Sequence, residues 1–125
     1  MIKELKKKGD YVAIGAASEK DISEAEEKLG LLFAKEYREY LRQCGAACAN
    51  GHEFTGIVNS KRLNVVEVTL NEKKKNLYVG ASLYVIEYMA IDKIVIWQDG
   101  AGDLYQTVGA SEPKKMCISF AEYID

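Results

Sequence analysis

The sequence predicts an α+β fold, with helices in the first half and an antiparallel sheet in the second. Two segments near the N-terminus carry apolar residues at helical spacing, and three later segments are rich in β-branched and aromatic residues. The links between those three segments are short, which favours antiparallel neighbours. A length of 125 residues suits one domain, residues 1–125, with a single core between two packed layers.

The first predicted helix runs from Ser18 to Gly30. Ser18 and Asp21 have the spacing of a capping box, and glycine is the residue that most often ends a helix. A second helix is predicted from about Ala34 to Cys44, followed by Gly45. One face of each helix is apolar, formed by Ile22, Ala25 and Leu29 in the first and by Phe33, Tyr37, Tyr40, Leu41 and Cys44 in the second.

The middle of the chain is predicted to be less regular. The segment AACANG reads as a loop, and HEFTGIV after it as a short strand. The segment NVVEV has β-branched character. Thr69 and Glu72 then have capping-box spacing, which predicts a helix that begins there and runs through Lys75, with the run of three lysines on its solvated face.

The second half predicts three strands and a helix. The strands lie in LYVIEYM, KIVIWQ and DLYQTV, joined by residues 90–92 and 99–102. The final SFAEYI begins with another capping-box pair, Ser119 and Glu122, and predicts a short C-terminal helix. Together these elements predict a mostly antiparallel sheet with N-terminal helices and a short C-terminal helix packed on it.

The turn DGAGD, residues 99–103, could hold a metal or a phosphate, or could simply join two strands. A calcium loop needs more oxygen ligands than Asp99 and Asp103 supply, and a phosphate loop needs a helix after the glycines. Paired glycosidase carboxylates are a further formal alternative. Glycine and aspartate are common turn formers, so a β-hairpin is favoured.

The only tryptophan lies on the strand before that turn. Alternation along a strand places Val95 and Trp97 on one face of the sheet and Ile94 and Ile96 on the other. One apolar face must meet the helices, and the other is either covered or exposed for binding. Trp97 could therefore anchor an interface or pack at the edge of the core, and both interpretations stay open.

No reactive or metal-binding group is predicted. Cys44, Cys48 and His52 are spaced by four residues and Cys117 lies far downstream, which does not match the tighter pairs of structural zinc sites. Nothing in the sequence would activate a cysteine nucleophile, and a single histidine without an elbow motif does not form a serine triad. His52 is expected to share hydrogen bonds with Glu53. We expect no catalytic residue, metal or cofactor.

Charge is unevenly distributed along the chain. The formal charge is only −2, but residues 76–112 contain five acidic residues and one lysine, a net of −4. Such a segment is a candidate docking face for a basic partner, and it argues against direct nucleic-acid binding. No apolar run approaches the ~18 residues of a membrane span, and an odd, unevenly spaced cysteine count does not suit a secreted disulfide framework. A cytoplasmic location is expected.

The order of the motifs resembles the SUKH superfamily, whose founding members include a fungal cell-wall synthesis regulator. The similarity begins at ISEAEEKLGLLFAKEYREYLRQCGA, residues 22–46, and continues through HEFTGI, NVVEVTL, the paired strands and SFAEYI. It covers nearly the whole chain after about residue 18. The matching positions in the first segment are Ile22, Glu26, Leu29, Gly30, Tyr37, Tyr40, Leu41 and Gly45.

The resemblance implies both a fold and a function. The fold is a mixed, mostly antiparallel sheet with flanking helices. Bacterial members are commonly immunity proteins that neutralise a toxin, often a nuclease, encoded nearby. An acidic, aromatic sheet face could then occlude a basic nuclease site. The residues expected to contribute to partner binding are Glu53, Glu87, Trp97, Asp99, Asp103 and Tyr105.

Three other functions remain as alternatives. An intracellular adaptor or regulatory scaffold, as in the fungal relatives, is the first. A small-molecule pocket between sheet and helices is the second. A metal-dependent enzyme is the third.

Overall fold

The computed structural model describes residues 1–125 and confirms the predicted α+β class. It contains five helices and seven strands in two sheets. The helices are α1 (Ile2–Lys6), α2 (Glu19–Leu29), α3 (Lys35–Cys44), α4 (Val65–Lys75) and α5 (Phe120–Ile124). The strands are β1 (Val12–Ala13), β2 (Ala47–Ala49), β3 (His52–Glu53), β4 (Tyr84–Met89), β5 (Ile94–Gln98), β6 (Leu104–Val108) and β7 (Lys114–Met116). None of the helices is long and apolar enough to cross a membrane.

All paired strands in both sheets are antiparallel. The first sheet has the order β1-β2-β3 and the second the order β4-β5-β6-β7. The predicted meander β4-β5-β6 is confirmed, and β7 extends it by one strand that the sequence did not predict. Parallel pairing is limited to an isolated bridge between Gly56 and Asn64, so the sheet arrangement is less mixed than the resemblance implies.

Helices α2, α3 and α5 match their predictions. In α2, the Asp21 N–H donates to Ser18 Oγ at 3.1 Å and Gly30 adopts a left-handed φ of 67°, so both predicted ends are present. In α5, Ser119 and Glu122 form the predicted capping box. These helices could be predicted because caps and apolar periodicity are local properties of the sequence.

Helix α4 begins five residues earlier than the sequence predicted, cap to cap. Asn64 is its N-cap, and the Asn64 side-chain oxygen accepts from the N–H groups of Val66 and Glu67. The predicted cap, Thr69, is buried in the middle of the helix, where its hydroxyl accepts from the Val85 N–H at 3.0 Å. Packing against the sheet therefore outweighs the strand preference of the β-branched residues at the start of this helix.

The segment predicted as a loop, AACANG, contains strand β2 and a tight turn. Asn50 and Gly51 have φ angles of 51° and 79°, as two-residue hairpin turns require, and they join β2 to β3. The following strand is only two residues long, shorter than the predicted HEFTGIV. Helix α1 and strands β1 and β7 are also short and were not predicted, because each depends on contacts distant in sequence.

Strands β4 and β5 of the second sheet are buried on both faces, whereas β7 is largely exposed. One face packs on the main core between sheet and helices, where the Tyr84 ring meets the rings of Phe33 and Tyr37 at centroid distances of 4.8 and 5.0 Å. The opposite face packs against Val68 of α4. The residues of that smaller core are Val68, Leu83, Val85, Val95 and Trp97. The second apolar face of the sheet is therefore largely covered by a helix.

Candidate binding surface

The turn between β5 and β6 is a hairpin held together by Asp99. The Asp99 Oδ1 atom accepts from the N–H groups of Ala101 and Asp103, both at 3.0 Å, and its Oδ2 atom accepts from the Tyr105 hydroxyl at 3.0 Å. Gly102 adopts a φ of 94°, which favours glycine. Both carboxylate oxygens of Asp99 are therefore engaged within the turn, which agrees with the hairpin interpretation.

Asp103 and Tyr105 lie partly exposed beside this turn. The Asp103 carboxylate forms an ion pair with Lys115 of β7 at 3.4 Å, and this pairing raises the pKa of Lys115. The hydrogen bond to Asp99 raises the pKa of the Tyr105 phenol, so Tyr105 stays a protonated donor. The β5–β6 hairpin is thus acidic but is bordered by β7, which carries Lys114 and Lys115. The sequence analysis did not predict this strand.

Trp97 is fully buried, with 0 % of its surface exposed. Its ring packs in the smaller core under α4, and its Nε1–H donates to the Thr107 hydroxyl at 3.0 Å. Of the two interpretations left open by the sequence, the structure corresponds to packing in the core. The structure does not agree with the alternative, an exposed interface anchor, because α4 covers the face of the sheet from which Trp97 projects.

Glu87 is also buried, at 5 % exposed, and not on an acidic surface. A β-bulge between Val85 and Glu87 interrupts the regular alternation of β4, and the Glu87 carboxylate faces His52 and Tyr123 instead of solvent. The Glu87 oxygens accept from His52 Nδ1 at 2.9 and 3.1 Å, and Oε1 also accepts from the Tyr123 hydroxyl.

This polar cluster of the buried Glu87 with the half-buried His52 and Tyr123 links β3, β4 and α5. The expected hydrogen bond between His52 and Glu53 is absent, because the histidine ring points to Glu87. Burial, followed by the hydrogen bond to Glu87, raises the pKa of the Tyr123 phenol, so this group remains a proton donor. The cluster fastens the C-terminal helix to the sheet.

Glu53 lies exposed on the first sheet, away from the hairpin. Arg62 donates to both of its carboxylate oxygens, at 3.0 and 2.9 Å, and this pairing lowers the pKa of Glu53. Its charge is therefore compensated locally. Of the six residues predicted to bind a partner, the structure brings together three, Asp99, Asp103 and Tyr105, at one partly exposed site.

The cysteines do not form a site together. Cys44 is buried in α3 with its Sγ atom 3.1 Å from the Tyr11 hydroxyl, Cys48 is half-buried in β2 and Cys117 is exposed. Burial raises the pKa of the Cys48 thiol, which lowers its reactivity. No three histidine, cysteine or acidic side chains are arranged to hold a metal ion.

The sequence analysis predicted neither the polar cluster of His52, Glu87 and Tyr123 nor the β2–β3 hairpin that carries His52. The dipeptide Asn50-Gly51 was the available signal, because it is a strong hairpin marker. The Glu87 bulge had no such signal, since its geometry depends on the pairing with β5.

The comparison with family models identifies the chain. A model of the SUKH group, described as SMI1-KNR4 cell-wall, matches residues 1–123. The chain belongs to the SUKH superfamily. Members of this superfamily are generally non-catalytic and are often immunity proteins, and the SUKH assignment is consistent with protein–protein interaction. No curated protein matches this SUKH chain.

Proposed function

We propose that this SUKH protein is an immunity protein that binds a cognate bacterial toxin and blocks the active site of that toxin. A nuclease encoded nearby is the favoured toxin class. The observation that carries the proposal is the family match over residues 1–123, because immunity proteins are frequent in this superfamily. The proposal requires only stoichiometric binding and no chemistry by the chain itself.

The hairpin end of the second sheet supports this mechanism. The active site of a nuclease must hold phosphates and is therefore basic. Asp103 and Tyr105 offer a carboxylate and a phenol beside the turn that Asp99 holds, and a carboxylate can take the place of a phosphate in such a site. The excess of acidic residues between 76 and 112 would also speed encounter by electrostatic steering.

The six predicted residues take different roles in the proposal. Asp103 and Tyr105 make direct contacts, and Asp99 keeps the turn in the conformation that presents them. Glu53 would contribute only if the toxin also reached the first sheet. Trp97 and Glu87 support the sheet from inside and do not touch the partner. Since the chain must meet a nuclease where nucleic acid is present, the proposal includes a cytoplasmic location.

Co-expression with the neighbouring toxin gene tests the proposal. We expect the wild-type chain to restore growth and Asp103→Lys to lower affinity for the toxin at least about tenfold, since a charge is reversed in the contact. Asp92→Lys is the matched control, because Asp92 is exposed on the β4–β5 turn at the other end of the sheet. Equal protection by both variants would contradict the acidic-hairpin mechanism, and failure of the wild type to protect would contradict immunity.

The adaptor function is the second candidate. It is favoured by exposed apolar residues at the end of the sheet opposite the hairpin, which the acidic mechanism does not use. Gene neighbourhood separates the two functions, because an immunity gene should lie beside a gene for a large secreted protein with a toxic C-terminal region.

A further inference from the structure

A cavity of about 380 Å³ lies between the end of α4 and the end of the second sheet. Three segments form its wall: the C-terminal turn of α4, the β4–β5 turn and the residues after β6. Trp97, Thr107 and Tyr88 line its sheet side. The volume falls within the ~300–1,000 Å³ range of sites that hold a ligand or an anchoring side chain.

Bulky exposed apolar residues lie next to the wall residues of this cavity in the sequence. Leu77, which follows the wall residue Asn76, is 93 % exposed. Ile91, which lies between the wall residues Ala90 and Lys93, is 97 % exposed. Tyr78 follows Leu77, and Tyr88 near the end of β4 lines the cavity itself; both are also exposed. Single exposed apolar residues are normal on a protein surface, but a group of four beside a cavity marks an interaction site.

The wall of the cavity is held in place by hydrogen bonds between the segments. Asn76 Nδ2 donates to the Ser111 carbonyl at 2.7 Å, which joins the end of α4 to the residues after β6. The Gly109 N–H donates to the Lys93 carbonyl at 3.0 Å, which joins those residues to the β4–β5 turn. The site is therefore formed before any ligand binds, which reduces the entropic cost of binding.

The charged side chains of the wall define the ligand. Lys75 and Glu72 pair with each other at 3.2 Å, and Lys93 has no acidic partner within ion-pair distance. Asp92 is exposed on the same turn but is not part of the wall. A ligand that fills the cavity with an apolar group and places a carboxylate beside Lys93 would complement the site.

We propose that this apolar end, defined as the cavity with Leu77, Tyr78, Tyr88 and Ile91, binds a segment of a partner protein. The segment carries an apolar anchor residue flanked by acidic residues. Leu77 and Ile91 extend the apolar surface beyond the cavity, so a small molecule in the cavity would leave them in water whereas a polypeptide covers them. This contact is separate from the acidic hairpin and does not depend on toxin neutralisation.

Peptide titration of the full chain tests the proposal. The probes are three capped peptides: Asp-Glu-Leu-Leu-Glu-Asp, its basic counterpart Lys-Arg-Leu-Leu-Arg-Lys, and Asp-Glu-Ser-Ser-Glu-Asp without the anchor. The readout is the indole N–H resonance of Trp97, the only tryptophan in the chain and part of the cavity wall. We expect saturable shifts with the first peptide and at least about fivefold weaker binding of the other two, since each lacks one complementary feature.

Variants locate the binding at this end of the molecule. Ile91→Ser and Lys93→Glu should each weaken the first peptide at least about threefold. Leu32→Ser is the control, because Leu32 is 66 % exposed elsewhere on the chain, and its affinity should equal wild type. Equal binding of the basic peptide, or no shift of the indole resonance by any peptide, overturns the proposal. Two further outcomes also overturn the proposal. If the wild-type chain binds anionic phospholipid vesicles and Ile91→Ser does not, the surface binds a membrane. If the wild-type chain self-associates and Ile91→Ser does not, the surface binds a second copy of the chain.

Discussion

At the scale of a single residue, Glu87 shows why the burial of a charged side chain is difficult to predict from the sequence. Alternation along β4 suggests a surface carboxylate, but the bulge at Ile86 changes the direction of the residue that follows. His52 and Tyr123 then satisfy the carboxylate inside the protein. Trp97 was uncertain for a related reason, since its burial depends on α4, which lies about thirty residues earlier in the chain.

Removing the buried carboxylate should destabilise the protein. We expect Glu87→Ala to lower the free energy of unfolding by about 3 kcal/mol, because the His52 ring N–H and the Tyr123 hydroxyl both lose their buried acceptor. Urea denaturation at neutral pH measures the change. Glu112→Ala serves as the control, since Glu112 is exposed and no measurable loss is expected there. If the two variants were equally stable, the polar cluster would not contribute to stability.

At the scale of elements, the predictable parts are those whose signals are local. The caps at Ser18, Gly30 and Ser119 correctly bounded their helices. The start of α4 was wrong because two capping patterns lie close together, and the β-branched residues between them favoured a strand for the first part. The short strands β1, β2 and β7 exist because partner strands hold them, and composition alone does not carry that information.

The position of the α4 cap can be tested directly. We expect Asn64→Ala to lower the free energy of unfolding by about 1 kcal/mol, because two N–H groups at the start of the helix lose their acceptor. Asn71→Ala is the matched control inside α4, where Asn71 is exposed and alanine is the better helix former. Equal loss at both positions in thermal or urea unfolding would show that Asn64 does not act as a cap.

At the scale of the whole molecule, the second sheet separates a large core from a small one, and Tyr37, Tyr40 and Tyr84 are buried in the large core. Burial raises the pKa values of the phenols of Tyr37, Tyr40 and Tyr84, and the hydrogen bond to the Cys44 thiol raises the pKa of Tyr11 to about 12. That residues 1–125 form one cooperative domain remains a prediction. Coincident unfolding transitions measured by Trp97 fluorescence and by circular dichroism would support it.

These phenols predict loss of stability at alkaline pH. In the unfolded chain they ionise near pH 10, whereas the folded protein keeps them protonated to higher pH. The unfolded state therefore binds fewer protons above about pH 10, and the free energy of unfolding falls as pH rises. The urea midpoint should be constant below that pH and decline above it, together with phenolate absorbance. Ionisation of all eight tyrosines near pH 10 without any fall in the midpoint would contradict the assignment of these phenols to the core.

The acidic hairpin and the apolar end lie at opposite ends of β5, so one molecule could contact two partners at once. The proposed neutralisation of a toxin requires only that the chain bind and cover the toxin. The most direct test is to titrate the purified toxin encoded beside this gene with the purified chain and to follow toxin activity. Stoichiometric binding predicts that inhibition is complete at one chain per toxin and that Asp103→Lys requires a large excess. Complete inhibition by far less than one equivalent, or none at any ratio, would contradict a protein that acts by covering its target.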